Sequence, residues 1–166
     1  MQACFIGHRT INKNEELISS LKQTIISLIN KGVKTFLFGS KSEFNELSWE
    51  TATELKKAYP FIKRVYIRSI YQCIDESYEK YLLESYEETF FPQKLEKAGK
   101  FSYVERNYEM IDNSMYCVFY YDENYVVPLN RQSKKNMLLQ TQRNSGTKLA
   151  YCYAIKKNKT IINLYK

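Results

Sequence analysis

Residues 1–11, "MQACFIGHRTI", place a short apolar run, Ala3–Ile6, directly against Gly7, His8 and Arg9. An apolar run without polar alternation is the pattern of a strand buried on both faces, as in a parallel sheet. In an open sheet of that kind, ligands bind beyond the carboxyl ends of the strands. Gly7, His8 and Arg9 are therefore expected at a functional edge, and His8 is the only histidine of the chain.

The same pattern recurs downstream. After "NEELISSLKQTIISLINKG", in which Leu17, Leu21, Ile25, Leu28 and Ile29 share helical spacing before Gly32, comes "VKTFLFGS", a strand ending on Gly39. "EFNELSWETATELKKAYP" predicts a helix that stops ahead of Pro60, and "IKRVYIRS" a third strand. The acidic, tyrosine-rich tract "DESYEKYLLESYEETFFPQKL" is expected to be helical up to Pro92. A helix over "YVERNYEMIDNS" leads into "MYCVFYY", the most strand-like run, and residues 122–144 form the longest expected loop. "GTKLAYCYAIKKNK" and "TIINLY" complete the pattern as helix and strand. Strands alternating with helices predict an α/β three-layer sandwich around a mostly parallel sheet, with residues 1–166 as one domain.

A chain of 166 residues with 44% hydrophobic and 15% aromatic content can bury a core without disulfides or metal. Cys4, Cys73, Cys117 and Cys152 lie far apart with no Cys-x-x-Cys pair, and are expected to be reduced and mostly buried. The opening residues lack a signal peptide's basic start and long apolar core, and no run approaches the ~20 residues of a membrane helix. A cytoplasmic protein with no membrane partner is expected. Residues 127–166 hold nine of the 25 basic residues and none of the 18 acidic ones, so the net charge of +7 belongs to the C-terminal quarter. Such a face suits nucleic acid, a phosphorylated small molecule or plain solvation.

The candidate site gathers at the expected strand ends. Gly7, His8 and Arg9 follow the first strand, Gly39, Ser40 and Glu43 the second, while Gly146 and Thr147 open the last helix. A glycine at a helix start lets a phosphate approach unpaired backbone N–H groups and the positive end of the dipole. On "ERNYEMIDNS", Arg106 and Asn107 are expected to reach the pocket rim, and Asp112 to hold a ribose hydroxyl or orient Arg9. Tyr116, Tyr120, Tyr121 and Tyr125 offer rings to a base. Neither Gly-x-Gly-x-x-Gly nor Gly-x-x-x-x-Gly-Lys-Ser/Thr occurs, which disfavours a standard NAD dehydrogenase or P-loop NTPase. One histidine makes no His-rich metal site, so no metal is expected.

Together, "CFIGHRTI", "FGSKSEFNELSWE", "YPFIKRVYIR", "ERNYEMIDNSMYCVFYYDENY" and "SGTKLAYCYAIKKNKTIINLY" resemble the YpsA-like branch of the SLOG superfamily over nearly the whole chain. The resemblance implies a Rossmann-like fold and a nucleotide or nucleotide-derived ligand, NAD- or ADP-ribose-like, lined by the "GHR" and "GT" elements. It implies a sensor or sequestering module, and a homo-oligomer. Related LOG phosphoribohydrolases carry Pro-Gly-Gly-x-Gly-Thr-x-x-Glu; aligned on Gly146 and Thr147, this chain has Ala150 at the glutamate position and lacks the Pro-Gly-Gly. A methyl group cannot stabilise an oxocarbenium-like state, so LOG-type hydrolysis would need His8, Glu43 or Asp112 to take the catalytic role. The related DprA domain makes nucleic-acid binding through the basic quarter a third reading, and no standard recognition motif supports it.

Overall fold

The computed structural model describes residues 1–93, 100–126 and 145–166. The elements are β1 (Gln2–Gly7), α1 (Glu15–Asn30), β2 (Thr35–Phe38), α2 (Glu43–Lys56), β3 (Lys63–Ile67), α3 (Glu76–Leu83), β4 (Glu88–Phe90), α4 (Lys100–Asp112), β5 (Tyr116–Tyr120), α5 (Gly146–Lys156) and β6 (Thr160–Asn163). The strands form one sheet in the order β4-β3-β2-β1-β5-β6, and every pairing is parallel. This is the expected α/β sandwich with a Rossmann-like topology.

Side-chain alternation along β1 divides the core. Ala3 and Phe5 face α1 and α2, packing with Leu21, Ile25, Phe36, Phe38 and Phe44. Cys4 and Ile6 face α4 and α5, packing with Leu37, Met110, Ile111, Phe119 and Ala150. Because both faces are covered, the inner strands read as unbroken apolar runs.

The strand order reverses at β1, whose neighbours are β2 on one side and β5 on the other, with Cys4 opposite both Leu37 and Cys117. That reversal opens a crevice at the carboxyl ends of β1 and β5. Since all strands are parallel, each connecting helix runs back against them and starts at the carboxyl edge. Asn14, Ser42 and Ser145 fix three of these starts as N-caps, accepting from the amides of Leu17, Asn45 and Lys148. Gly32 ends the first helix segment at φ +88°, a conformation a side chain would disfavour.

Two expectations are corrected. The tract expected to be helical up to Pro92 is helical only to Leu83, and residues 88–90 form edge strand β4. The reason is charge pairing across the strands: Glu87 takes Arg64 through its side chain and backbone N–H, and Glu88 takes Lys63. The cysteines divide evenly, Cys4 and Cys117 being buried and Cys73 and Cys152 exposed.

Candidate functional site

Gly7 ends β1 with its missing side chain accounted for by packing: a Cβ there would stand 2.5 Å from Phe44 of α2. The next residue, His8, is 1% exposed and turns the other way. Its Nε2 lies 2.9 Å from the Asp122 backbone nitrogen and 3.1 Å from the Asp122 carbonyl oxygen, and its Nδ1 is buried with no partner among the described residues. Burial pushes its pKa below the ordinary 6.5, against a weaker opposing pull from the Asp122 backbone, so the ring is neutral at pH 7. Tyr125 stacks on it with centroids 3.8 Å apart and its hydroxyl meets Thr10 Oγ1 at 3.0 Å.

Arg9 is exposed, and its guanidinium has no partner among the described residues. Its carbonyl accepts the Glu43 N–H at 2.9 Å, while the Glu43 carboxylate accepts the Ile11 N–H at 2.9 Å. The loop after β1 is thereby tied to the start of α2. Ser40 Oγ lies 2.9 Å from Oγ of Ser42, the α2 cap. Asn45, one turn further and buried, joins the two strand ends by donating to Phe5 O at 2.8 Å and accepting from the Gly39 N–H at 3.3 Å. Sequence reasoning passed over Asn45, because an asparagine in "EFNELSWE" reads as part of a solvated face.

Arg106 is the most unusual group. Only 2% exposed, it donates through Nη1 to the Gly39 carbonyl and to Ser69 Oγ at 3.4 Å, and through Nη2 to Asn107 Oδ1 at 3.0 Å. Its Nε has no acceptor, and no carboxylate among the described residues forms an ion pair with it. Burial pushes its pKa down to about 10, with Tyr66 and Tyr103 opposing, so the charge persists at pH 7. The guanidinium carbon lies 5.6 Å from the Tyr103 ring centroid. Gly39 makes room for it: a Cβ there would stand 2.8 Å from the arginine's Cδ and Nε.

Gly146 opens α5 at the same edge, exposed, and a Cβ there would meet nothing within 4 Å. Thr147 is buried beside it. Ala150, one turn in, is fully buried in the core between α5 and the sheet.

Asp112 does not join these residues. It closes α4 at the amino edge, where its carboxylate takes Tyr153 Oη at 2.9 Å and Lys157 Nζ at 3.2 Å. Among the tyrosines, Tyr121 stacks on Tyr151, Tyr120 packs against Phe44 and Tyr165, and Tyr116 lies beneath Lys31. Most of the 122–144 loop, with Arg131, Lys134, Lys135 and Arg143, lies outside the described residues. Of the basic quarter that is described, Lys157 pairs with Asp112, Lys166 with Glu16, and Lys159 donates to two carbonyls. A groove of about 330 Å³ between α1 and β6 is lined by Ser20, Gln23, Thr24, Ser27 and Ile162, with no charged group. Among the described residues, His8 Nδ1, Arg68 Nε and Arg106 Nε lack partners towards the carboxyl edge, and Ser114 Oγ lacks one at the amino edge. Among the described residues there is no cluster of metal-ligating side chains, and no helix is long and apolar enough to cross a membrane.

The topology defines a Rossmann-like α/β protein with a crevice at the carboxyl ends of β1 and β5. The chain matches the family model YpsA, the YspA SLOG family, over residues 8–157, and it belongs to that family. Membership of a SLOG family points to a nucleotide-related function. No curated protein matches the chain.

Proposed function

We propose that the protein binds a nucleotide or nucleotide-derived small molecule, NAD- or ADP-ribose-like in kind, at the carboxyl edge of the sheet, and acts as a sensor or sequestering module. The observation that carries this reading is Arg106, a buried guanidinium held by neutral acceptors and lacking a carboxylate among the described residues. A charge taken out of water without a counterion is costly, and an arriving anion removes that cost. A phosphate about 5 Å away would gain roughly 3 kcal/mol at an effective dielectric of about 20. Arg9 adds an exposed guanidinium at the rim, and the open start of α5 at Gly146 adds backbone N–H groups. Glu43 stands at the same edge, within reach of a ribose hydroxyl.

The hydrolase alternative has less support. Asp112 is engaged at the opposite edge, Ala150 is core, and the carboxylate of Glu43 already holds the loop after β1. His8 has its Nε2 occupied by a backbone amide. The binding reading is tested by calorimetry of the full chain against a panel of nucleoside phosphates, NAD and ADP-ribose. Binding of at least one member, lost in Arg106→Met, is expected. A folded protein that binds none of them would overturn the reading.

A further inference from the structure

Strands β1 and β2 part company before either ends. Their register runs from Gln2 opposite Thr35 to Cys4 opposite Leu37, yet β1 continues along β5 to Gly7 and β2 along β3 to Phe38. One step further, Phe5 would stand opposite Phe38, and the ladder of a parallel pair would send the Gly39 N–H to the Phe5 carbonyl. A side chain replaces that rung. The Asn45 carboxamide accepts the Gly39 N–H on Oδ1 at 3.3 Å and donates from Nδ2 to Phe5 O at 2.8 Å. A carboxamide carries an acceptor and donors side by side, as a peptide unit does, so both backbone groups stay paired while the strands are held apart.

The wedge is fixed at its base. Asn45 is buried in the first turn of α2, where its own N–H goes to Ser42 Oγ at 3.2 Å. On the far side of the wedge stands Gly39, whose carbonyl accepts from Nη1 of Arg106. Arg106 belongs to α4, which packs on the opposite face of the sheet from α2. One glycine is thus gripped from both layers, its N–H by Asn45 and its carbonyl by Arg106. The direction of that carbonyl sets the guanidinium: with Nη1 on Gly39 and Nη2 on Asn107 Oδ1, Nε is the donor without an acceptor among the described residues. Were the strands zipped by the direct rung, the Gly39 peptide would turn with β1, and its carbonyl would leave this position.

We propose that Asn45 is a positioning residue of the anion site: its carboxamide wedges β1 from β2, orients the Gly39 peptide, and through that peptide holds the Arg106 guanidinium where a phosphate meets it. This role rests on the binding reading above and extends it to a residue that acts only through another.

The test uses the full chain as wild type, Asn45→Ala and Asn45→Leu. Alanine removes the wedge and lets the Gly39 N–H close the rung on Phe5 O, whereas leucine keeps the volume and removes both hydrogen bonds, so a folding failure of one leaves the other to decide. NMR of the ligand-free protein follows the Arg106 Nε–H signal, assigned by its loss in Arg106→Met. Calorimetry compares the tightest-binding nucleotide of the panel with the nucleoside of the same base. Both variants should displace the Arg106 signal and weaken the nucleotide about tenfold, the worth of one hydrogen bond to a charged group, while the nucleoside behaves as with wild type. A purely structural asparagine would leave the signal in place or weaken both ligands equally. Either result in a folded variant overturns the positioning role and leaves the binding reading standing. A folded wild type that binds no nucleotide overturns the binding reading, and the Arg106 signal still decides whether Asn45 holds the guanidinium.

Discussion

Helix α4 carries two charged residues six positions apart whose surroundings are opposite. At the amino edge Asp112 is satisfied twice over, by Tyr153 and Lys157, and Lys159 closes the carbonyls of Asp112 and Ser114. Towards the carboxyl edge Arg106 is buried with an orphaned Nε and no counterion among the described residues. Six residues of helix span about 9 Å, enough to carry one residue to each end of a short strand. The charged group at the amino edge is satisfied, whereas among the described residues the one towards the carboxyl edge is not, which is the contrast the proposed binding role depends on.

Four substitutions bear on this contrast. Arg106→Met removes the unpaired charge and should weaken binding of the best nucleotide about 100-fold, the equivalent of the roughly 3 kcal/mol attraction, as read by calorimetry. Gly39→Ala places a methyl 2.8 Å from the same side chain and should displace it. An affinity loss of about tenfold is expected, smaller because a flexible side chain can shift. His8→Gln tests the neutral imidazole through pH. With the folded pKa below the ordinary 6.5, the unfolded chain takes up a proton first, so wild type should lose stability as pH falls below about 6.5. Urea unfolding at pH 7 and pH 5 should show a smaller loss in His8→Gln. The least effect is expected from Asp112→Asn: a surface pair is worth about 0–1 kcal/mol, and ligand affinity should not change. A large loss of affinity in Asp112→Asn would remove the distinction between the two edges.

The parallel sheet was legible because its inner strands are buried on both faces. "ACFI", "FLF" and "YCVFY" are unbroken apolar runs, and Leu17, Leu21, Ile25 and Leu28 mark the buried stripe of α1. Strand β4 was not legible, since three half-covered residues at an edge give no period and the acidic residues around them continue the helical composition of α3. Its place depends on Arg64 and Lys63, distant in sequence. At the site, the glycine-marked strand ends could be read, whereas the burial of Arg106 and Asn107, expected at a pocket rim, could not. What could not be read was direction along α4, which separates Asp112 from Arg106. Nor could a sequence show that the space beside Gly7 is filled by Phe44 while that beside Gly146 is open.

The central claim is that Arg106 is retained for a ligand at the expense of the fold. It is tested most directly by thermal unfolding of wild type and Arg106→Met, each alone and with a saturating nucleotide from the panel. Arg106→Met should unfold at the same temperature as wild type or higher when no ligand is present, because a buried unpaired charge has been replaced by an apolar side chain of similar reach. Only wild type should be shifted upward by the nucleotide. A variant markedly less stable than wild type, yet stabilised by nucleotide to the same degree, would show that Arg106 serves the fold and not the ligand.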